Sequence, residues 1–215
     1  MLRSPAPPLD LAGADAGIVA AAAVASGLLD AVVRTGAATG DEGLGLAAPQ
    51  LGWPVPAFLL RAPTDAESAS VDAACGAVAD AQSLALLIRG VDGVGTAPLA
   101  SAAQWRLVLN PRVLDEGRVV ARGLEACFSV PGRVAVVPRR TAAVIVAYDT
   151  LRVLDDGGDG GAVVVEAFEV RVQLDGLPAV VFQHEADHCR GVVLDAASGA
   201  EWADGVPPAE MASLE

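Results

Sequence analysis

An α+β fold with antiparallel sheets around a central helix is the architecture this sequence predicts. Three observations predict it. An alanine- and leucine-rich run near the start has helical spacing. Many short strand-like segments follow, with no regular helices between them to carry parallel crossovers. One late helical segment, Val180-Val181-Phe182-Gln183-His184-Glu185-Ala186-Asp187-His188, contains His-Glu-x-x-His and holds both histidines of the chain. Residues four apart share a helix face, so His184 and His188 can point at one metal ion and Glu185 can reach a water bound to it. The bland alternative, a polar patch on a surface helix, does not explain why the apolar run LPAVVF leads straight into the motif. Metal ligands sit in such a partly buried shell. The predicted architecture is therefore antiparallel sheets packed around a central metal-binding helix, with an N-terminal helix.

At 215 residues and 53% hydrophobic content, the chain fits one domain spanning 1–215 with ample core. All 14 basic residues are arginine, which reads as coding bias. A formal net charge of −13 argues against broad binding to nucleic acid or an anionic membrane. The three cysteines, Cys75, Cys127 and Cys189, are no disulfide framework and fit a reducing compartment. The longest apolar run, residues 17–29, is too short to span a bilayer comfortably. As a secretory signal it lacks a basic leader, because Asp10 and Asp15 offset Arg3.

In chain order, residues 1–12 are Pro-rich and extended. A helix runs from about Asp15 to Arg34, with Ser26, Asp30 and Arg34 as its solvent-facing stripe, and Gly36 and the TGDEG stretch end it. GLGLAAPQ, residues 43–50, has the small residues that let a backbone approach another group closely. It is no phosphate loop, since no Lys-Ser/Thr follows. Val55–Arg61 reads as a strand. Residues 62–104 form a surface insert without strand alternation. Trp105–Leu109 is a strand turned by Asn110-Pro111, and Val113–Ala121 a strand pair about Asp115-Glu116-Gly117. Val134–Val137 and Ala142–Asp149 are strands broken by Pro138. The run at 155–161 is a hairpin loop, Val163–Leu174 a strand, and Asp175-Gly176 the lead into the histidine helix. An acidic, loosely packed tail closes the chain over about 199–215.

Two histidines make an incomplete site, and zinc-like centres take a third protein ligand while leaving one position for water. The residues leave the third ligand open between Cys127 upstream and the downstream acids Asp195, Glu201 and Glu210.

The chain resembles peptide deformylase in three separated motifs: GLGLAAPQ at 43–50, EACFS at 125–129 (EGCLS in most of the family) and QHEADH at 183–188. The resemblance covers about residues 15–60 and 105–198. It implies Cys127, His184 and His188 as ligands of one divalent metal ion, Fe2+ in the cell, with Zn2+, Ni2+ or Co2+ expected in purified protein. A thiolate with two imidazoles suits any of these and leaves one open site. It implies hydrolysis of the formyl group from N-formylmethionine of nascent chains. Glu185 would be the general acid–base, and the Gln50 amide and the Phe128 backbone N–H would stabilise the oxyanion. Leu44, Phe128, Val180 and Val181 would wall the methionine pocket, and Gly45 would offer backbone groups to the peptide. Asp187 would fix an imidazole or the helix. Cys189 lies about 100° round the helix from His188 and should point away from the metal.

Two departures bear on that expectation. Ala126 replaces a glycine; if the backbone there needs positive φ or lies against the substrate, its Cβ costs on the order of 1 kcal/mol or more and would crowd the peptide. Phe128 replaces leucine, so its bulk should narrow the pocket and alter substrate preference. The tail carries no basic residue for ribosome docking. Tail and insert fit a divergent branch, mitochondrial or otherwise organellar in a eukaryote and cytoplasmic in a bacterium. The competing expectations are a catalytically impaired deformylase-like binding protein and another HExxH metal hydrolase or protease.

Overall fold

The computed structural model describes residues 3–11, 15–40, 43–61, 105–155, 164–194 and 199–203. Among them, α1 spans Asp15–Thr39, β1 Gly45–Ala47, β2 Ala57–Arg61, β3 Trp105–Asp115, β4 Val119–Ala126, β5 Val134–Ala142, β6 Val144–Asp155, β7 Val164–Leu174, α2 Gly176–Cys189 and β8 Glu201–Trp202. A 3-10 turn, Ala48–Leu51, follows β1. One antiparallel sheet has the order β1-β2-β3-β6-β7, and β4, β5 and β8 form a second. This is the α+β class the sequence predicts.

Side chains alternate across the larger sheet. Leu46, Leu59, Leu107, Leu109 and Leu151 pack with Ala21, Ala25, Leu28, Leu29 and Val32 of α1. Their neighbours Ala47, Phe58, Val108, Val146 and Tyr148 pack with Ala179, Phe182, Ala186 and Cys189 of α2. Phe182 is fully buried, edge-on to Phe58 at 5.3 Å and tilted against Tyr148 at 6.1 Å. Burial of such a ring contributes roughly 2–3 kcal/mol and locks the rotation of α2 about its axis. The opposite side of α2 meets β5. There the Gln183 amide accepts from Arg140 N–H (3.2 Å) and donates to Arg140 O (2.6 Å), standing in for a neighbouring strand.

Several boundaries differ from the sequence reading, each for a tertiary reason. Ser26 is only 2% exposed, so it faces the core; Asp30 and Arg34 do face solvent and pair at 2.7 Å. Helix α1 passes through Gly36 to Thr39, where the Thr35 and Thr39 hydroxyls donate one turn back to Ala31 O and Thr35 O, and Gly40 at φ 77° ends it. From Ala16 to Thr39 it is 24 residues long, enough by length and composition to cross a membrane, unlike the shorter run read from sequence. One face of it nonetheless packs on the larger sheet.

Asn110-Pro111 is no turn. Strand β3 continues to Asp115 through a bulge between Leu109 and Arg112, with Asn110 at φ 48°. Strand β5 likewise continues through Pro138, which pairs with Arg122, and the chain bends at Ala143 (φ 53°) instead. On its other side β5 pairs with β8 only at Ala135 and Val136, so no ladder bond is asked of the proline nitrogen there. Strands β3 and β4 flank the Asp115–Gly117 turn but pair in different sheets. From residue 199 on, ordered pairing reaches Trp202, whose ring carries the Arg133 guanidinium at 3.5 Å. The insert at 62–104 with Cys75, the loop at 156–163, Asp195, Glu210 and 204–215 lie outside the described residues.

The N-terminal segment is tied across this frame. Ala6 N–H donates to Cys189 O at 2.9 Å, at the end of α2. The Asn110 side chain accepts from Leu9 N–H (2.8 Å) and donates to Leu9 O (2.9 Å) and Asp149 Oδ2 (2.8 Å). Asn110→Ala removes all three bonds and leaves a β-carbon residue at positive φ. It should cost about 2–4 kcal/mol, read as a lower urea midpoint at unchanged m. A loss below about 1 kcal/mol would show that the strap contributes little.

Candidate metal centre

Helix α2 presents two stripes. Ala179, Phe182, Ala186 and Cys189 bury against the larger sheet, and this rotation turns His184 and His188 toward β4 and β5. Cys127 comes from the residue after β4, where a tight turn closes with Val130 N–H to Cys127 O at 3.0 Å. Cys127 Sγ lies 3.2 Å from His188 Nε2, and one ligand atom from each of Cys127, His184 and His188 lies within 4.8 Å of the others.

Two of these three side chains are held from behind. His184 Nδ1 is 2.7 Å from Glu125 Oε2, which leaves Nε2 for a metal. Glu125 is buried and takes a two-pronged bond from Arg139, Nε to Oε1 at 2.7 Å and Nη2 to Oε2 at 3.0 Å. Burial pushes the Glu125 carboxyl up, but its bonds to His184 and Arg139 outweigh burial and hold it below the usual range. Ser129 N–H points at Cys127 Sγ at 3.4 Å. Burial alone would raise the Cys127 thiol; its contacts with His184 and His188 prevail and lower it to about 5. Burial opposes charge on His184, yet Cys127, Glu125 and Glu185 raise it to about 10.

Glu185 is 4% exposed, and burial pushes its carboxyl up to about 7 against the lowering influence of His184 and His188. A β-carbon at Gly45 would sit 2.5 Å from Glu185 Oε1, so the second glycine of GLGLAAPQ makes room for this side chain. Gly43 has φ 69°, and the Phe128 ring lies against it. Gln50 sits on the 3-10 turn. Its Oε1 accepts from Ala47 N–H at 2.8 Å, which aims Nε2 at Ser129 Oγ (3.1 Å) and Cys127 Sγ (3.5 Å).

Leu44 and Phe128 are exposed large apolar residues beside these groups, at 42% and 40%. Val180 and Val181 are half-buried, outside the apolar clusters that hold Phe182. Ala126 pairs with Val134 at the end of β4 and, among the described residues, only Asn110 and Ala143 are non-glycine residues at positive φ. The backbone cost expected at Ala126 is therefore absent. Glu201 lies on β8, paired with Arg122 at 3.1 Å, and takes no part in the cluster. Cys189 packs in the α2 core, pushed up to about 12 by burial, as its helical position predicted. Asp187 bonds Arg139 at 2.6 Å and Arg190 at 2.6 Å, not an imidazole.

Glu125, Ser129, Arg139 and Gln183 escaped the sequence reading. The first two lie inside EACFS and the last inside QHEADH, so motif membership was a usable signal for three of them. Arg139 had none. The donor set, one low-pKa thiol and two imidazoles in a buried cradle, fits a single divalent ion with a fourth position open. Consistent with that, Glu185 Oε2 is buried without a hydrogen-bond partner among the described residues.

A sequence model described as Polypeptide deformylase matches residues 16–153. The peptide deformylase of Halalkalibacterium halodurans is 34% identical over 94 residues, 42% of this chain and 43% of its own. Peptide deformylase 2 of Ralstonia nicotianae is 32% identical over 112 residues, 51% and 54% respectively. The chain thus spans less than half the length of the first curated relatives it matches. In fold it is similar to peptide deformylase 1B of Arabidopsis thaliana (TM-score 0.52, 23% identity, covering 92% of this chain and 77% of that one). The peptide deformylase of Ehrlichia chaffeensis gives TM-score 0.52 and 23% identity, covering 92% and 83%.

Glu185 makes the metal-free protein pH-sensitive. A carboxyl raised from 4.5 to about 7 on folding penalises the native state only once it ionises. The penalty is small at pH 4.5, grows with pH and is complete above about 7. Relative to wild type, metal-free Glu185→Gln should therefore gain on the order of 1–3 kcal/mol between pH 4.5 and pH 8, by urea titration at both. A difference that does not change with pH would contradict this.

Proposed function

The chain belongs to the polypeptide deformylase family, and on that basis we propose that it hydrolyses the formyl group from N-formylmethionine of nascent polypeptides, releasing formate and a free amine. The convergence of Cys127, His184 and His188 within 4.8 Å, beside Glu185 and the Gln50 amide, carries the proposal. These three residues would hold one divalent ion, Fe2+ in the cell, with Zn2+, Ni2+ or Co2+ compatible with the same donors. Such an ion supplies Lewis acidity that makes water acidic enough to lose a proton near neutral pH.

Glu185 takes that proton and later delivers it to the departing amine nitrogen. Its burial favours the protonated form, which suits the second half of the cycle. Attack on the formyl carbon develops an oxyanion, which the Gln50 Nε2–H and the Phe128 backbone N–H stabilise, each by about 3–4 kcal/mol. The fixed Gln50 Oε1 bond to Ala47 supports this role, because the donor is aimed before substrate arrives. Leu44, Phe128, Val180 and Val181 wall the methionine side chain, and Gly45 meets the peptide backbone. Phe128, bulkier than the family's leucine, shifts preference among N-terminal side chains.

Of the competing readings, the impaired relative loses its backbone-strain argument, since Ala126 has no positive φ. A protease with a downstream carboxylate ligand finds no support at Glu201, which is engaged by Arg122.

Fe2+-loaded protein should release formate from a short formyl-Met peptide. Gln50→Ala should lower kcat roughly 10²–10³-fold, and Glu185→Ala should lower it by at least about 10²-fold. Wild-type turnover no greater than that of Glu185→Ala would refute the proposal.

A further inference from the structure

Arg139 lies outside every motif, yet its guanidinium reaches all the segments that carry the metal ligands. Its side chain is 10% exposed on β5. Nε and Nη2 grip both oxygens of Glu125, and Nη1 donates to Asp187 Oδ2 at 2.6 Å. Glu125 Oε2 simultaneously holds His184 Nδ1. Glu125 also sits near the end of β4, two residues before Cys127, and Asp187 directly precedes His188. One side chain thereby braces the strand end that carries Cys127, the carboxylate that orients His184, and the helix turn that carries His188.

A buried ion network is weak evidence of stabilisation in itself, because desolvation offsets the Coulombic gain. Fixed geometry is what such a fork supplies best. Planar guanidinium bonds set the angle of a carboxylate as well as its position. The Glu125 carboxylate in turn sets the tautomer and plane of His184.

We propose that Arg139 is a positioning residue for the metal centre, preassembling the Cys127–His184–His188 ligand set by clamping Glu125 and Asp187 together. This rests on those three residues being the metal ligands. Lysine at 139 keeps the charge but loses the fork, so geometry and charge can be separated. Arg190 supplies the control: its side chain bonds the other oxygen of Asp187 from an exposed position and, unlike that of Arg139, does not grip Glu125.

The test uses the full chain loaded with Co2+ or Zn2+. Metal release to a chromogenic chelator is followed in wild type, Arg139→Lys, Arg139→Leu and Arg190→Ala, with the Co2+ absorption bands recorded before release. Arg139→Leu should release metal roughly 10–100-fold faster, Arg139→Lys should fall between it and wild type, and both should shift the Co2+ bands. Arg190→Ala should match wild type. In a Glu125→Gln background, removing Arg139 should add little further. If Arg139→Leu does not fold, Arg139→Lys and the Glu125→Gln pair decide the matter. Release rates and Co2+ spectra unchanged in Arg139→Lys, or equal acceleration in Arg190→Ala, would overturn the proposal. Failure of wild type to bind one ion per chain would instead refute the ligand assignment beneath it.

Discussion

Helix α2 is covered on both sides, and that constraint shapes the rest of the structure. A covered helix has to bury an apolar stripe on one side and find partners for every polar group on the other. Phe182, wedged against Phe58 and Tyr148, fixes which stripe goes where. Once it is seated, His184 and His188 lie in a nearly dry layer toward β4 and β5, and Glu185 lies against Gly45 of β1. The neighbouring strands answer that demand with Glu125 for His184 and Arg139 for Glu125 and Asp187, while the Gln183 amide of the helix pairs with the open edge of β5.

The groups that remain incompletely satisfied mark the chemistry. Glu185 has one oxygen pressed against Gly45 and another without a partner. Stability alone would not retain a buried, unpaired carboxylate oxygen. Here it stands beside a thiol and two imidazoles whose mutual contacts draw the sulfur toward thiolate. A cation in that cradle would complete the electrostatics that the protein groups leave unbalanced. The small residues of GLGLAAPQ follow from the same crowding, since Gly45 admits Glu185 and Gly43 admits the Phe128 ring.

Much of the site was legible in the sequence because its chemistry is written in short motifs. His184, Glu185 and His188 are tied by helical spacing. Cys127 and Gln50 required the motif resemblance, since nothing local links residues so far apart in the chain. The fold class was legible from the order of elements. What escaped has one physical source: partners supplied across the fold. Pro138 does not break β5 because β8 stops short of it, and Asn110 does not turn β3 because its side chain holds Leu9 and Asp149 in place. Ser26 looked solvent-facing by its spacing with Asp30 and is buried in α1. Arg139 was invisible as one arginine among 14 until the structure set it between two carboxylates.

X-ray absorption spectroscopy on metal-loaded protein tests the account at its centre. It should find one sulfur near 2.3 Å together with nitrogen or oxygen donors near 2.0–2.1 Å, as Cys127, His184 and His188 require. The sulfur shell should vanish in Cys127→Ala. A shell of nitrogen and oxygen alone in the wild-type protein would contradict the ligand set from which the account is built.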